Sequence, residues 1–456
     1  MITQISAQKR SLSSSLAPLP PLVPGLPVLG SALSMARNPL QFFLTQYHRY
    51  GPIYRVHVLN QEYTVLSGLE VNQFLVNGDE VFPSKVAFAA LSREYGTERL
   101  LPAMDGPDHL RRRRLQRGSY SRERLYARMP EILHLTEEML HGWVPGDEMA
   151  VFPTLQRIIV QQLGLVLLNR PPQDAFDAVR TLVQFNLFVN ILGFIPPFPL
   201  RWPAYLRAKA RVIKLCAGII EEHRAIPSTQ RIPDLVDDLI AERDERGNPF
   251  SDRDIIGEMM GSFFAGMDTV AGTCSFMLYA ILKTPGLLAQ VQEEIDRAFS
   301  GGSFDPHCLR TMPVLHTTAL ETLRRYPIAP ITPRTVGQPF EFAGYRVEPG
   351  ARAFLVNGLT HFLPEYFPEP ERFDIHRFDS NARKSRPANA FAPFALGAHT
   401  CLGAGLAETQ IMVLISMLLH TFELALYPQD FEVKMLFRPA PTPGVKFRVK
   451  VVRRRH

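Results

Sequence analysis

The sequence predicts a mainly α-helical protein with a small, segregated β region (an α+β arrangement). Three observations point that way. From about Gly106 to Tyr326, apolar residues recur at three- and four-residue spacing with breaks at Pro or Gly, as in successive amphipathic helices. Short alternating runs lie before that stretch, and beyond Pro327 the chain becomes turn-rich and strand-like. After the first thirty residues no repeat and no Gly/Ser tract divides the sequence. Residues 1–30 therefore read as a polar, Pro-rich leading segment, and 31–456 as a single domain.

The elements follow in order. Met1 to Leu16 is polar and Ser-rich, with neither a secretory apolar core nor the ~20 apolar residues of a span. Pro20 to Val28 is too dense in proline to be helical. Asn38-Pro39 supplies a cap and a first residue for a helix running to Gly51. Ile53 to Val58 and Glu62 to Ser67 alternate as strands of a small sheet. Leu182 to Trp202 is the most apolar stretch, broken by Gly193, Pro196, Pro197 and Pro199. It reads as core, or as a lid that touches an apolar ligand or a membrane surface, and not as a transmembrane anchor. The longest helix runs from Ser251 to Lys283, stopped by Pro285, and is ~50 Å long. The last strong helix, Leu402 to His420, precedes the C-terminal strands.

Composition narrows the function classes. With 456 residues, 46% of them hydrophobic, the chain can bury a large core, which excludes disordered and disulfide-scaffold readings. A net charge of +6 on so long a chain does not call for nucleic acid. It is compatible with a basic docking face for an acidic protein. Cys216, Cys274, Cys308 and Cys401 are too scattered for a disulfide framework, and the compartment reads as reducing cytosol.

Four constellations carry chemistry. In Phe394 to Gly403 (FALGAHTCLG), Cys401 lies just before a helix, in a turn bracketed by Gly397 and Gly403. Backbone N–H groups and the helix dipole stabilise a thiolate there, and glycines admit a flat ligand closely. Such a thiolate is a good axial ligand for iron; a structural buried Cys is the plainer reading. Glu321 and Arg324, spaced by three, share a helix face, as in any solvated helix. Ala265-Gly266-Met267-Asp268-Thr269 places poor helix formers inside the longest helix. A close helix crossing at Gly266, with Thr269 bonded to its own turn, is one explanation; a catalytic role is the other. His109 and Arg113 share one helix face within His109-Leu110-Arg111-Arg112-Arg113-Arg114, which also reads as a basic solvated face.

Phe394-x-x-Gly397-x-x-x-Cys401-x-Gly403 resembles the haem-binding signature of the cytochrome P450 family. The other motifs occur in the family's order, and the resemblance spans nearly the whole chain. It implies a cytochrome P450 fold with haem b between the long central helix and the last long helix. Cys401 becomes the axial iron ligand, and Phe394 and Gly403 part of the cofactor loop. His399, His109, Arg113 and Arg334 become hydrogen-bond partners of the haem propionates, with Arg112 as the alternative to Arg113. Ala265 and Gly266 belong to the oxygen-activation motif, where the helix opens beside the iron, and Thr269 and Asp268 become the proton-handling pair. Glu321, Arg324 and Arg372 become a buried structural network.

The implied activity is monooxygenation: one atom of O2 enters a fatty acid, terpenoid, steroid or polyketide-like molecule. Electrons come from a ferredoxin or flavodoxin-type donor and its reductase, with NAD(P)H acting only through them. The pocket would draw on Phe88 to Tyr95, Phe185 to Phe198, Phe264, Ile328 to Thr332 and Pro439 to Val445. The alternative is a peroxide-using or isomerase-type haem-thiolate enzyme; relatives of that kind often lose the acid–alcohol pair that Asp268-Thr269 retains. A haem carrier or gas sensor is a third reading, without an effector region in the sequence to support it. The implied location is cytoplasmic and soluble, with peripheral membrane contact left open.

Overall fold

The computed structural model describes residues 17–78, 80–193, 195–301, 304–437 and 440–456. The Ser-rich stretch Met1 to Leu16, Phe194 and Pro439 lie outside the described residues.

Helix Asp252–Lys283 runs through the centre. It begins one residue after the predicted start because Ser251 caps it: Ser251 Oγ accepts from the Asp254 N–H, and the Asp254 carboxylate accepts from the Ser251 N–H. Most of its residues from Met267 to Ile281 are buried, as expected for a helix apolar on all sides. Helices Val151–Leu168, Pro203–Ala225, Pro313–Arg325 and Ala404–Thr421 pack around it.

The β structure is segregated, as predicted. The larger sheet has the order Ile53–Val58, Gln61–Ser67, Arg352–Val356, Thr332–Thr335. Its one parallel pair joins Gln61–Ser67 to Arg352–Val356. The Pro-rich segment is extended along this sheet, with Val23 N–H donating to Arg55 O at 2.9 Å. Helix Pro39–Tyr50 starts and stops where predicted: Asn38 accepts from Gln41 N–H at 3.1 Å, and Gly51 has φ +82°. A three-stranded sheet joins Glu148–Ala150, Arg448–Arg454 and Phe422–Tyr427.

Three helical segments (Val151–Leu168, Asp252–Lys283 and Gly397–Thr421) are long and apolar enough to cross a membrane. Their most apolar windows are 83%, 78% and 67% buried inside the fold, which makes them core helices. The apolar stretch Leu182–Trp202 is no single helix. Helix Phe176–Asn186 passes into a π-turn, Leu187–Ile191, and a 3₁₀ turn, Phe198–Arg201, leads into helix Pro203–Ala225.

One buried ion pair gives the fold a pH dependence. His223, near the end of helix Pro203–Ala225, meets Asp234, the cap of helix Leu235–Ala241, at 2.9 Å. Arg231 lies bidentate on the adjacent Asp237. Burial lowers the His223 pKa, but the Asp234 hydrogen bond and charge outweigh it, so the native value lies above 6.5. The pair's stabilisation is full below 6.5 and is lost as pH rises through the raised native value. Urea denaturation across this range is expected to show stability falling with pH in the wild type, and a flatter profile in His223→Gln.

Candidate functional site

Cys401 sits at the mouth of helix Ala404–Thr421, two residues beyond the 3₁₀ turn Gly397–His399. The helix starts later than predicted because Leu402 and Gly403 complete the turn and Gly403 occupies the cap position. The loop closes on itself: Cys401 N–H donates to Phe394 O at 2.8 Å, and Thr400 Oγ1 donates to Gly397 O at 2.8 Å. Gly397, at φ +73°, makes the reversal that a side chain would strain.

Cys401 presents surface at the loop, with protein groups crowding it from the Gly403 and Arg113 sides. Phe394, Leu396, Ala398 and Leu402 are likewise only partly covered. An apolar loop face without protein cover suits a flat, apolar ligand. Burial pushes the Cys401 thiol up, against the Gly403 N–H and the Arg113 charge, which both favour thiolate.

The central helix shows two faces at its motif. Ala265 is exposed and Thr269 partly so, on one side. Gly266 and Asp268 turn the other way, toward helix Val151–Leu168. A Cβ on Gly266 would come within 2.7 Å of Leu163 Cδ1, and Asp268 accepts a hydrogen bond from Gln156 Nε2 at 2.5 Å. Gly266 thus lies at the close helix crossing, and the helix does not open here as the resemblance implied but runs unbroken. Thr269 Oγ1 instead bonds back to Ala265 O at 2.7 Å and Gly266 O at 3.3 Å. Burial raises the pKa of Asp268 above the usual carboxylate value, partly offset by the Gln156 amide.

The expected propionate partners lie beside the loop. His109 and Arg113 share a face of helix Gly106–Gln116, and the His109 ring stacks on His399 with centroids 4.3 Å apart. Arg113 donates to Thr400 O. Arg334, on strand Thr332–Thr335, and His399 line one small cavity with Leu396 and Asn357. Arg112 points away: it is fully buried between Glu242 and Glu258, at 2.7 and 2.9 Å, which removes it as the alternative.

These residues fit a haem with two carboxylates. His109 Nδ1 is buried without a hydrogen-bond partner among the described residues, and its stacking partner His399 meets the Asp105 carboxylate. Asp105 was missed from sequence. It accepts from His399 Nε2 at 3.0 Å and from the Ser84 and Lys85 N–H groups, tying helix Ser84–Tyr95 to the cysteine loop.

Behind the loop, Glu321 and Arg324 are fully buried and bidentate, at 2.7 and 2.8 Å. Arg324 also donates to His361 O, Pro370 O and Arg372 O. The second arginine is not Arg372, whose exposed side chain pairs with Glu369 at 3.4 Å and which offers Arg324 only its carbonyl. Arg377, on the 3₁₀ turn Ile375–Phe378, lies 3.4 Å from Glu321 instead, and Asp374 N–H donates to Glu321 at 2.9 Å. The turn at Arg372 aims its side chain at solvent and brings the arginine five residues later inward.

A cysteine loop at a helix start, with imidazole and guanidinium groups beside it and a central helix with an incompletely covered face, fits the class of haem-thiolate proteins. The cytochrome P450 family profile matches residues 20–450, and the chain belongs to that family. Cytochrome P450 139 of Mycobacterium tuberculosis is 28% identical over 410 residues, covering 84% of this chain and 90% of that one. Sterol 14alpha-demethylase of Mycolicibacterium vanbaalenii is 26% identical, with 88% and 91% covered. Abscisic acid 8'-hydroxylase 4 of Arabidopsis thaliana is 25% identical, with 97% and 94% covered. The fold matches retinoic acid-bound cyanobacterial CYP120A1, with TM-score 0.82, 24% identity, and 95% and 99% of the two chains covered. The chain is a cytochrome P450 monooxygenase, a class that binds haem iron through a thiolate and generally draws electrons from redox partners.

Proposed function

We propose that the chain hydroxylates an apolar small molecule of the fatty acid, terpenoid, steroid or polyketide-like kind, with haem b held by Cys401. The observations that support this are the incompletely covered Cys401 loop and, on the central helix, the incompletely covered Ala265/Thr269 face. The haem, when bound, supplies the oxygen-activating chemistry, and the thiolate ligand favours O–O cleavage. His109, Arg113, Arg334 and His399 hold the propionates.

Thr269 Oγ1 donates its proton to the Ala265 carbonyl and keeps its lone pairs for the open face; rotation of the hydroxyl would present that proton to a ligand there. Asp268, buried on the Gln156 side, is the proton reserve one residue away. Apolar side chains of the central helix, including Phe264, exclude water and orient the substrate. The electron donor is a ferredoxin or flavodoxin-type protein with its reductase, NAD(P)H acting through them, and the setting is the cytoplasm.

A spectroscopic screen of hydrophobic compounds tests substrate class: water displacement shifts the iron from low to high spin, and polar compounds alone producing the shift would contradict the reading. Turnover with a ferredoxin and reductase, exceeding that with peroxide alone, supports external electrons; the reverse favours the peroxide-using alternative. Thr269→Ala is expected to keep haem loading while product per electron falls by up to about a hundredfold and hydrogen peroxide rises. Unchanged coupling would remove Thr269 from proton handling.

A further inference from the structure

We infer that Arg112, Glu242 and Glu258 are positioning residues: they fix the roll of helix Gly106–Gln116 and so aim His109 and Arg113 at the haem propionates. The inference rests on the propionate role proposed above for His109 and Arg113, and adds how those two side chains are held.

A surface helix is ordinarily seated by an apolar stripe. Helix Gly106–Gln116 has none. Its two leucines, Leu110 and Leu115, are 46% and 50% exposed, and its buried side chains are His109, Arg112 and Gln116. Polar contacts therefore seat it. Arg112 Nε donates to Glu242 at 2.7 Å, and Nη2 donates to Glu258 at 2.9 Å. Its Nη1 donates to Arg99 O, and the guanidinium lies 4.6 Å from the Phe250 ring centroid. Gln116, one turn further along, reaches the second Glu242 oxygen at 3.4 Å. The carboxylates are themselves fixed from outside the helix. Glu242 caps the end of helix Leu235–Ala241, and Glu258 belongs to the central helix and accepts from Leu101 N–H at 2.8 Å.

Consecutive helix residues leave the axis about 100° apart. Arg112 and Arg113 therefore project on either side of His109: Arg112 toward the two glutamates, Arg113 toward Thr400 O of the cysteine loop. A roll of the helix that slackened one contact would displace the other. Bonds from a planar fork have direction and oppose such a roll, whereas apolar contacts have none. Stability alone is a poor reason for the triad, because an apolar trio of similar size commonly serves a fold as well without the cost of burying three charges.

Resonance Raman spectra of the ferric holoprotein test this, because the propionate bending modes respond to hydrogen bonds on the carboxylates. Haem transfer to excess apomyoglobin gives the release rate of the same samples. His109→Ala sets the scale by removing a proposed partner outright. Arg112→Lys keeps the charge but cannot bridge two carboxylates with a planar fork. It is expected to shift the propionate modes and to speed haem release on the order of tenfold. Glu242→Gln keeps the shape and turns one acceptor into a donor that faces Arg112 or Gln116. It should do the same, and it decides alone if Arg112→Lys does not fold. His223→Gln, which weakens a buried ion pair on helix Pro203–Ala225, is the control for lost stability and should leave the modes in place. A shift in His109→Ala without one in the Arg112 and Glu242 variants would overturn the inference and leave the propionate reading standing. Modes unmoved in His109→Ala would remove that reading, and the inference with it. An equal shift in His223→Gln would assign the effect to general loosening and also overturn the inference.

Discussion

Cys401→Ala is expected to abolish product formation. The loss should exceed the roughly 10–100-fold that follows removal of an outer-shell partner of a metal site, because the substitution removes the proposed iron ligand itself. The loop should survive: its closure runs through backbone groups, Cys401 N–H to Phe394 O and Gly397 with its left-handed backbone. Haem is therefore expected still to bind, through the propionate partners proposed above, His109, Arg113, Arg334 and His399. X-ray absorption at the iron edge checks this, with sulfur scattering present in the wild type and absent in the variant. Retained iron–sulfur scattering in the variant would assign the ligand elsewhere.

Glu321→Ala carries the largest expected loss of stability, roughly 3–5 kcal/mol, because it strands the fully buried Arg324 guanidinium. The same carboxylate also anchors Arg377 and the Asp374 N–H, so the turn at Ile375–Phe378 loses two ties as well. Chemical denaturation and the yield of haem-loaded protein measure the effect. A contrast locates the network: Arg377→Leu should lower both quantities, whereas Arg372→Leu, at an exposed side chain, should stay within about 0.5 kcal/mol of wild type. Equal losses in the two variants would contradict the placement of Arg377.

Local signals were legible in the sequence, and long-range partners were not. Asn38 and Ser251 cap their helices with atoms a few residues away, so the motif and its outcome lie in one stretch of chain. The Cys401 loop is equally local, and its brackets Gly397 and Gly403 sit within it. Glu321 and Arg324 were readable for the same reason. Which later arginine joins them depends on how the chain turns between Pro370 and Phe378, and the family resemblance, carried by Pro370 to Phe373, pointed to Arg372. The motif assigned Gly266 and Asp268 to the oxygen-activation site, and their partners Leu163 and Gln156 lie over a hundred residues earlier in the chain. No periodicity names such a pair. Asp105 stood in a readable turn, but its link to His399 closes only in three dimensions.

The ferrous carbonyl absorption spectrum of the wild-type holoprotein tests the central claim most directly. A thiolate-type Soret band, lost in Cys401→Ala, is the predicted result. A spectrum like that of a histidine-ligated globin, or one unchanged by the substitution, would contradict it.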